Sequence, residues 1–295
     1  MYSTFHKWRG SLWLAPAVLV LAAFVYLPLA QNFGYSTQRS NIFTGESEFI
    51  GMRNFEVLLN DPIFWRSLFN NVLYAIVSVI CQVGGALVVA AGVESVRSSR
   101  LRNALRVTYF IPSAISITVA GLLFYFIYEP NIGILNSALT AIGLEQWVKP
   151  WLGQQSTAML SIILMSQWQG FGYTALLFTV AIQRIPTELF EAAQLDGIGP
   201  IRRFITITVP LVRQMSGLLT IVTISGAFQV FNEVMVMTSG GPSNSTQVLG
   251  TWLYRNGFVR NDFGYAAAIA TVIFIVTLGI GLFQLWYTRK RKVEL

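Results

Sequence analysis

The chain has 295 residues, of which 54% are hydrophobic, 14% aromatic and only 11% charged; soluble domains carry roughly a quarter charged residues, so an ordinary water-soluble domain is excluded. Its single cysteine, Cys81, rules out an internal disulfide and any cysteine metal cluster, and its single histidine, His6, precedes the first apolar segment and leaves no histidine chemistry inside a membrane. The net charge of +7 suits either a nucleic-acid binder or a membrane protein with biased loops, and the placement of the charges favours the second.

Crossing the hydrocarbon takes about 20 mostly apolar residues in a helix. Windows at about 11–33, 68–93, 104–128, 157–183, 208–238 and 263–288 qualify, which predicts an all-α membrane protein with six spans in one transmembrane domain. Pro16 and Pro28 should bend or break the first, as membrane helices tolerate when neighbours satisfy the freed carbonyls. A cleaved signal peptide is the alternative for that window, but it is long and lacks a small-x-small cleavage site.

Orientation follows from Lys and Arg. One side collects Lys7, Arg9, Arg97, Arg100, Arg102, Arg106, Arg184, Arg202, Arg203, Arg289, Lys290, Arg291 and Lys292. The other has Arg39, Arg53, Arg66, Lys149, Arg255 and Arg260, diluted by acids, with Arg213 near the start of the fifth window. Both termini are therefore expected in the cytoplasm, and the basic excess is a topology signal, not a nucleic-acid footprint. The outer connections 34–67 and 129–156 place Phe55, Phe64, Trp65, Trp147 and Trp151 at the interface. The third, 239–262, opens on the turn-rich run Ser239 to Thr246.

Between the fourth and fifth windows lies a polar, amphipathic stretch. Pro186 suits a helix start, Thr187 an N-cap, and Glu188 and Glu191 a first turn favoured by the helix dipole. Leu189, Ala192, Ala193 and Gly197 fall near one face, where small side chains allow close approach to a partner, and Gly197 permits a sharp turn that a Cβ would hinder. An ordinary surface helix is the alternative. Glu191-Ala192-Ala193, three residues, Gly197, nine residues, Ile207-Thr208-Val209-Pro210 resembles the EAA signature of ABC importer permeases, with Val209 in place of the usual Leu. That resemblance implies a type I importer permease fold and makes the segment a coupling helix seated in a cleft of an ATPase subunit, with Glu191, Ala192, Ala193, Asp196, Gly197 and Pro210 as the coupling residues.

Trp168 to Tyr173, Thr238 to Pro242 and Asp262 to Ala268 extend the resemblance over most of the chain, to the carbohydrate-uptake branch of the maltose-transporter F and glycerol-phosphate-transporter A type. It departs from the maltose F type in lacking extra N-terminal helices and a large periplasmic insert. The partners so implied are a second, homologous permease, two copies of a cytoplasmic ATPase, an extracytoplasmic sugar-binding protein and membrane lipid, in a bacterial or archaeal cytoplasmic membrane. No G-x-x-x-x-G-K-[ST] occurs and no lysine follows glycine, so the chain is not itself an enzyme; ATP and Mg belong to the ATPase partner, and no cofactor or metal is expected here.

Polar side chains mark the path for substrate. Ser166, Gln169 and Tyr173 recur at i, i+3 and i+7, and Ser225, Gln229 and Asn232 at i, i+4 and i+7 in the fifth window, each set on one helical face, with Phe228 and Phe231 beside the second. Hydroxyls and amides beside aromatic rings match a sugar, and such groups are costly in lipid unless they face protein; hydrogen bonding between subunits is the alternative. Family position singles out Gly170 and Tyr173. Glu233, the one acid deep in a window, is a substrate or proton contact by default, against an interfacial carboxylate or a pair with the sister subunit. No Lys or Arg sits mid-span, which favours a neutral sugar over glycerol phosphate. An ion-coupled secondary transporter is the rival of a different class, but it usually shows internal repeats and mid-membrane carboxylates, and neither is evident.

Overall fold

In the computed structural model, residues 13–41 and 46–289 are described; His6, Lys7, Arg9, Lys290, Arg291 and Lys292 lie outside them. The described chain is helical apart from one hairpin, and it falls into two compact units, 13–61 with Leu253–Phe274 and Pro62–Trp252 with the residues from Ile275 on.

The first unit opens with helix α1, Ala15–Ser36. The prolines do not break it. Pro16 stands at the helix start, where its missing N–H would be unsatisfied anyway. Pro28 follows a π-turn at Ala22–Tyr26, a wider turn that accommodates the hydrogen bond proline cannot make. A hairpin follows, β1 (Gln38–Asn41) antiparallel to β2 (Glu46–Phe49), with Gln38 opposite Phe49, and then the short helix α2, Arg53–Leu59. Asn54 is the staple of this unit, donating to the carbonyls of Ser36 and Gln38 at 2.9 Å each. Asn32 donates to Thr271 Oγ1 at 3.1 Å, and Phe33 meets Phe274 edge-on, so the first turns of the last helix pack on α1. That helix is capped by Asp262, whose Oδ1 accepts from the Tyr265 N–H at 3.1 Å. Gly264 is required beside it, since a Cβ there would lie 2.0 Å from the Gln38 carbonyl oxygen.

The second unit is built on α3, Pro62–Glu94, α4, Ser99–Phe110, α5, Ile117–Ile127, α6, Ile134–Ala141, and α7, Ala158–Ile182. Then come α8, Thr187–Leu195, α9, Pro200–Leu211, α10, Arg213–Phe228, α11, Asn232–Met237, and α12, Leu249–Tyr254, which runs on past the unit's edge; α13, Phe263–Arg289, passes from the first unit to the second. Ser98 and Ser116 cap α4 and α5 with their side chains. One apolar core gathers Ile162, Ile163 and Met165 of α7 with Ala120, Val234 and Val248; a second gathers Ala86 and Ala90 of α3 with Ala175 and Phe178 of α7 and Leu219 of α10.

Among the described residues, three helices are long and apolar enough to cross a membrane: α1, α3 and α13 as far as Phe283. The number rises to five if each of two bent pairs is one span, α4 with its 3₁₀ extension to Ala114 against α5 (94°) and α9 against α10 (71°). The physical reasons for the bends are local. Ile115 is extended, so the chain restarts its helix at the Ser116 cap, and Val212 leaves helical geometry just after Pro210. The fifth window, 208–238, is thus broken twice, since Gln229 ends α10 before α11 begins. Helix α7 has 25 residues, ample length at about 1.5 Å each, but Gln167, Gln169, Gly170 and Gly172 lower the apolarity of its middle.

A polar cavity and an outward-facing helix as candidate functional sites

A cavity of about 450 Å³ opens among α3, the α4–α5 junction, α7, α10 and α11. From α7 come Ser166, Gln169, Gly170, Tyr173 and Thr174; from α10 and the break after it come Thr223, Gln229 and Phe231; from α11 come Asn232 and Glu233. Six of the eight sequence-predicted path residues therefore meet there, namely Ser166, Gln169, Gly170, Tyr173, Gln229 and Asn232. Ser225 and Phe228 do not. Phe228 is buried, and neither lines the cavity, because α10 unwinds at Gln229 and the three-four spacing no longer keeps one face.

Helix α3 supplies Tyr74, Ser78 and Gln82, which the sequence reading missed. Their spacing at i, i+4 and i+8 in an apolar helix is the signal that could have found them. The Tyr74 phenol is hydrogen-bonded to Ser166 Oγ and to Glu233 Oε1 at 2.7 Å. A phenol carries one proton, so with Glu233 accepting it the serine hydroxyl supplies its own. Glu233 is 7% exposed, which removes the expectation of an interfacial carboxylate near the outer turn: α11 turns it inward to Tyr74.

A second network fixes the rim. Gln82 Nε2 donates to Gln167 Oε1 at 2.9 Å, and Gln167 donates in turn to Ser78 Oγ at 3.1 Å. Ser113 Oγ donates to the Gln169 carbonyl at 2.8 Å and accepts from the Tyr173 N–H at 3.0 Å, while Gln169 donates to the Ile115 carbonyl at 2.8 Å. The helix break at Ile115 thus frees a carbonyl that holds a cavity residue. Gly172 lets α7 come this close: a Cβ there would lie 2.1 Å from the Tyr109 carbonyl oxygen.

The floor of the fold around the cavity is held by two adjacent asparagines of α3. Asn71 donates to the Ala227 carbonyl at 2.6 Å and accepts from the Leu249 N–H at 2.8 Å. Asn70 donates to the carbonyls of Ser245 and Gln247 at 2.8 Å each. The turn-rich run after Ser239 consequently leads into a buried segment: Thr246, Val248 and Leu249 have no exposed surface.

Helix α8 is the other candidate. Its N-cap is Pro186, with no side-chain cap, so Thr187 opens the helix as its first residue instead of capping it. Glu188 alone is the first-turn acid; Glu191 lies a turn further on. The end is a Schellman motif: Gly197, at φ +72°, donates to the Gln194 carbonyl at 3.1 Å, and Ile198 donates to the Ala193 carbonyl at 2.9 Å. Glu191, Ala192, Asp196, Gly197 and Pro210 are all exposed. Ala193 is 5% exposed, so it packs inward and does not share the outward face expected of it. Leu195, 90% exposed, and Ile201, 76% exposed, add apolar surface beside Glu191. Elsewhere in the same unit, Arg106 grips Glu94 through two nitrogens, at 3.0 Å from Nε to Oε1 and 2.7 Å from Nη2 to Oε2, and Gln183, shortly before α8 in the chain, donates to the same carboxylate at 3.3 Å. That pair ties α3, α4 and the end of α7 just ahead of the segment. Among the described residues, no group of His, Cys, Asp and Glu could hold a metal ion.

The chain is 47% identical to the probable ABC transporter permease protein YurN of Bacillus subtilis (strain 168), over 96% of this chain and 97% of that one. It is 32% identical to the arabinooligosaccharides transport system permease protein AraP of the same organism, over 93% of this chain and 86% of the relative. A chain of a bacterial ABC transporter involved in the import of the acidic polysaccharide alginate superposes with a TM-score of 0.84 at 23% identity, over 98% and 97% of the two chains, and so shares the fold. Residues 82–292, which carry most of the cavity lining and all of α8, match the model of the binding-protein-dependent transport system inner membrane component, and the chain belongs to that family.

Proposed function

We propose that the chain is the transmembrane permease subunit of an ATP-driven, binding-protein-dependent importer of a sugar or polyol, forming half of the translocation path. The observation that carries the substrate class is the cavity lining: hydroxyls, amides and aromatic rings from α3, α7, α10 and α11, with no Lys or Arg among them. Such a lining suits a ligand with hydroxyls at its edge and C–H bonds on its face, and it disfavours glycerol phosphate. The naming of the relative AraP for arabinooligosaccharides supports the same class.

The chain acts as one membrane domain with six spans: α1, α3, the α4–α5 pair, α7, the α9–α11 run and α13. Both termini and α8 face the cytoplasm. A second, related permease completes the path, two ATPase subunits hold ATP and Mg, and an external sugar-binding protein docks on the outer connections. The chain itself holds neither cofactor nor metal and hydrolyses nothing. Closure of the ATPases on ATP moves α8 through Glu191 and its apolar neighbours and turns the cavity outward; the binding protein releases sugar into it, and hydrolysis returns it inward.

The test is ATP hydrolysis by the complex purified from its native membrane with this chain as bait, against a panel of sugars, polyols and glycerol phosphate. An ATPase should copurify, and one sugar with its binding protein should raise turnover. A preparation that brings down no ATPase under mild detergent would overturn the coupling role of Glu191 to Pro210.

A further inference from the structure

Among the residues lining the cavity, Glu233 is the only acid and no Lys or Arg accompanies it. Its Oε1 is occupied by the Tyr74 phenol, whose orientation is fixed by Ser166 on the facing helix. Its Oε2 has no hydrogen-bond partner among the described residues. Burying a carboxylate in this way is costly unless it is paired or hydrogen-bonded, and one phenol satisfies only part of its accepting capacity. Glu233 lines the cavity together with Gln229 and Asn232, with Ile117, Leu219 and Val222 as apolar wall.

We propose that Glu233 is a specificity-determining residue of this cavity: its carboxylate accepts hydrogen bonds from the hydroxyls of a neutral sugar or polyol and bars substrates that carry a carboxylate or phosphate. The proposal rests on the sugar-importer reading and sharpens its substrate class. A carboxylate accepts and cannot donate, so it selects a ligand that brings donors, and vicinal hydroxyls bring two. An anionic ligand brings a second negative charge into a cavity with no cation in its lining, where water screens little. Tyr74 is the positioning residue: it consumes one oxygen of Glu233 and leaves the other toward the ligand, and Ser166 keeps the phenol from turning away. The amides of Gln229 and Asn232 can donate as well as accept, so they hold a sugar without discriminating by charge. Glu233 does.

The test takes the whole complex. A panel of sugars first identifies the one that raises ATP turnover of the wild type with its binding protein. Equilibrium binding of that sugar, radiolabelled, is then measured on the nucleotide-free complex without the binding protein, so that the cavity alone is read. Glu233→Gln should weaken binding roughly 10- to 100-fold, the loss expected for a hydrogen bond to a charged group, and Tyr74→Phe should weaken it by less. On the wild type, the carboxylate counterpart of the same sugar, its uronic acid, should bind at least about tenfold more weakly than the neutral sugar, and Glu233→Gln should narrow that gap. Binding by Glu233→Gln within about twofold of wild type, or equal binding of neutral sugar and uronic acid by the wild type, would overturn the proposal; the second comparison decides even where the variant complex does not assemble. A wild-type complex that responds to no sugar overturns the functional reading and the inference with it. One that responds to a neutral sugar while Glu233→Gln binds unchanged overturns the inference alone.

Discussion

Helix α8 and the cavity are held by opposite means. In α8 the organising contacts are short in sequence: a proline start, a first-turn glutamate and a Schellman turn on Gly197. Glu191, Ala192 and Leu195 on its outward side are exposed. In the cavity every organising contact is long in sequence: Tyr74 reaches Glu233 across 159 residues, and Asn71 reaches Leu249 across 178. A surface meant for a partner can be altered without touching the fold. A cavity inside a membrane helix unit cannot, because most of its polar groups are held by partners far along the chain.

The sharpest way to break that comparison is Asn71→Ala. The residue has no exposed surface, and its loss orphans the Ala227 carbonyl and the Leu249 N–H. Each of the two buried groups left unpaired costs about 1–3 kcal/mol, so a loss of about 2–6 kcal/mol is expected. It should appear as a lower thermal midpoint of the purified complex and reduced recovery from the membrane. A midpoint within a degree of wild type would mean that the buried segment after Thr246 does not depend on this clamp.

The same contrast explains what could be read in the sequence. The windows 157–183 and 263–288 coincide nearly residue for residue with α7 and α13, because an apolar run fixes a helix by itself. The left-handed glycine at 197 was legible from turn chemistry, and Ser166, Gln169, Gly170 and Tyr173 were legible because they share an unbroken helix. Ser225 and Phe228 failed because the reading carried a helical period through Gln229, where the helix stops. Ala193 failed because periodicity gives a face but not which way it points. Tyr74 and the Asn70–Asn71 pair were missed since their meaning lies in partners more than ninety residues away; Tyr74 and Ser166, for instance, are 92 apart. In the sequence Pro28 suggests a bend or break because the wider turn that absorbs it leaves no mark in composition.

Two changes in and after α8 should be milder for the fold. Gly197→Ala meets open space, but it forces a Cβ onto a backbone at φ +72°, a cost of about 1–2 kcal/mol. That cost should be local: faster hydrogen exchange over residues 187–198, with the midpoint of the complex nearly unchanged. Glu191→Lys, on an exposed position, should shift stability by no more than about 0.5 kcal/mol and yet uncouple transport from ATP hydrolysis. Retained, coupled uptake in that variant would show that the outward face is not where the ATPase is engaged.

The smallest effect belongs to Glu129, in the connection after α5, where a partly exposed carboxylate makes local bonds of the same kind as those that organise α8. Its Oε2 accepts from the N–H groups of Ile132 and Asn131 at 2.7 Å each. The Ile132 bond is the largest cause and, with the weaker Asn131 backbone and side-chain bonds, holds its carboxyl below the usual glutamate range against an opposing desolvation that ranks second. The bonds favour the charged form, so the folded-state value is depressed. Their contribution is therefore fully present above the ordinary glutamate value, about 4.3, and is lost as the pH falls through the lower folded-state value. Hydrogen exchange at Asn131 and Ile132, corrected for the intrinsic pH dependence, should show protection at neutral pH that persists at pH about 4.3 and disappears only below it. Glu129→Gln should reduce that protection at neutral pH and remove its acid step. Protection that fades already at the ordinary glutamate value would mean that the turn does not select the carboxylate. Because the group is partly exposed and the turn closes on itself, the cavity should not register the change, and sugar binding should be the same with and without it.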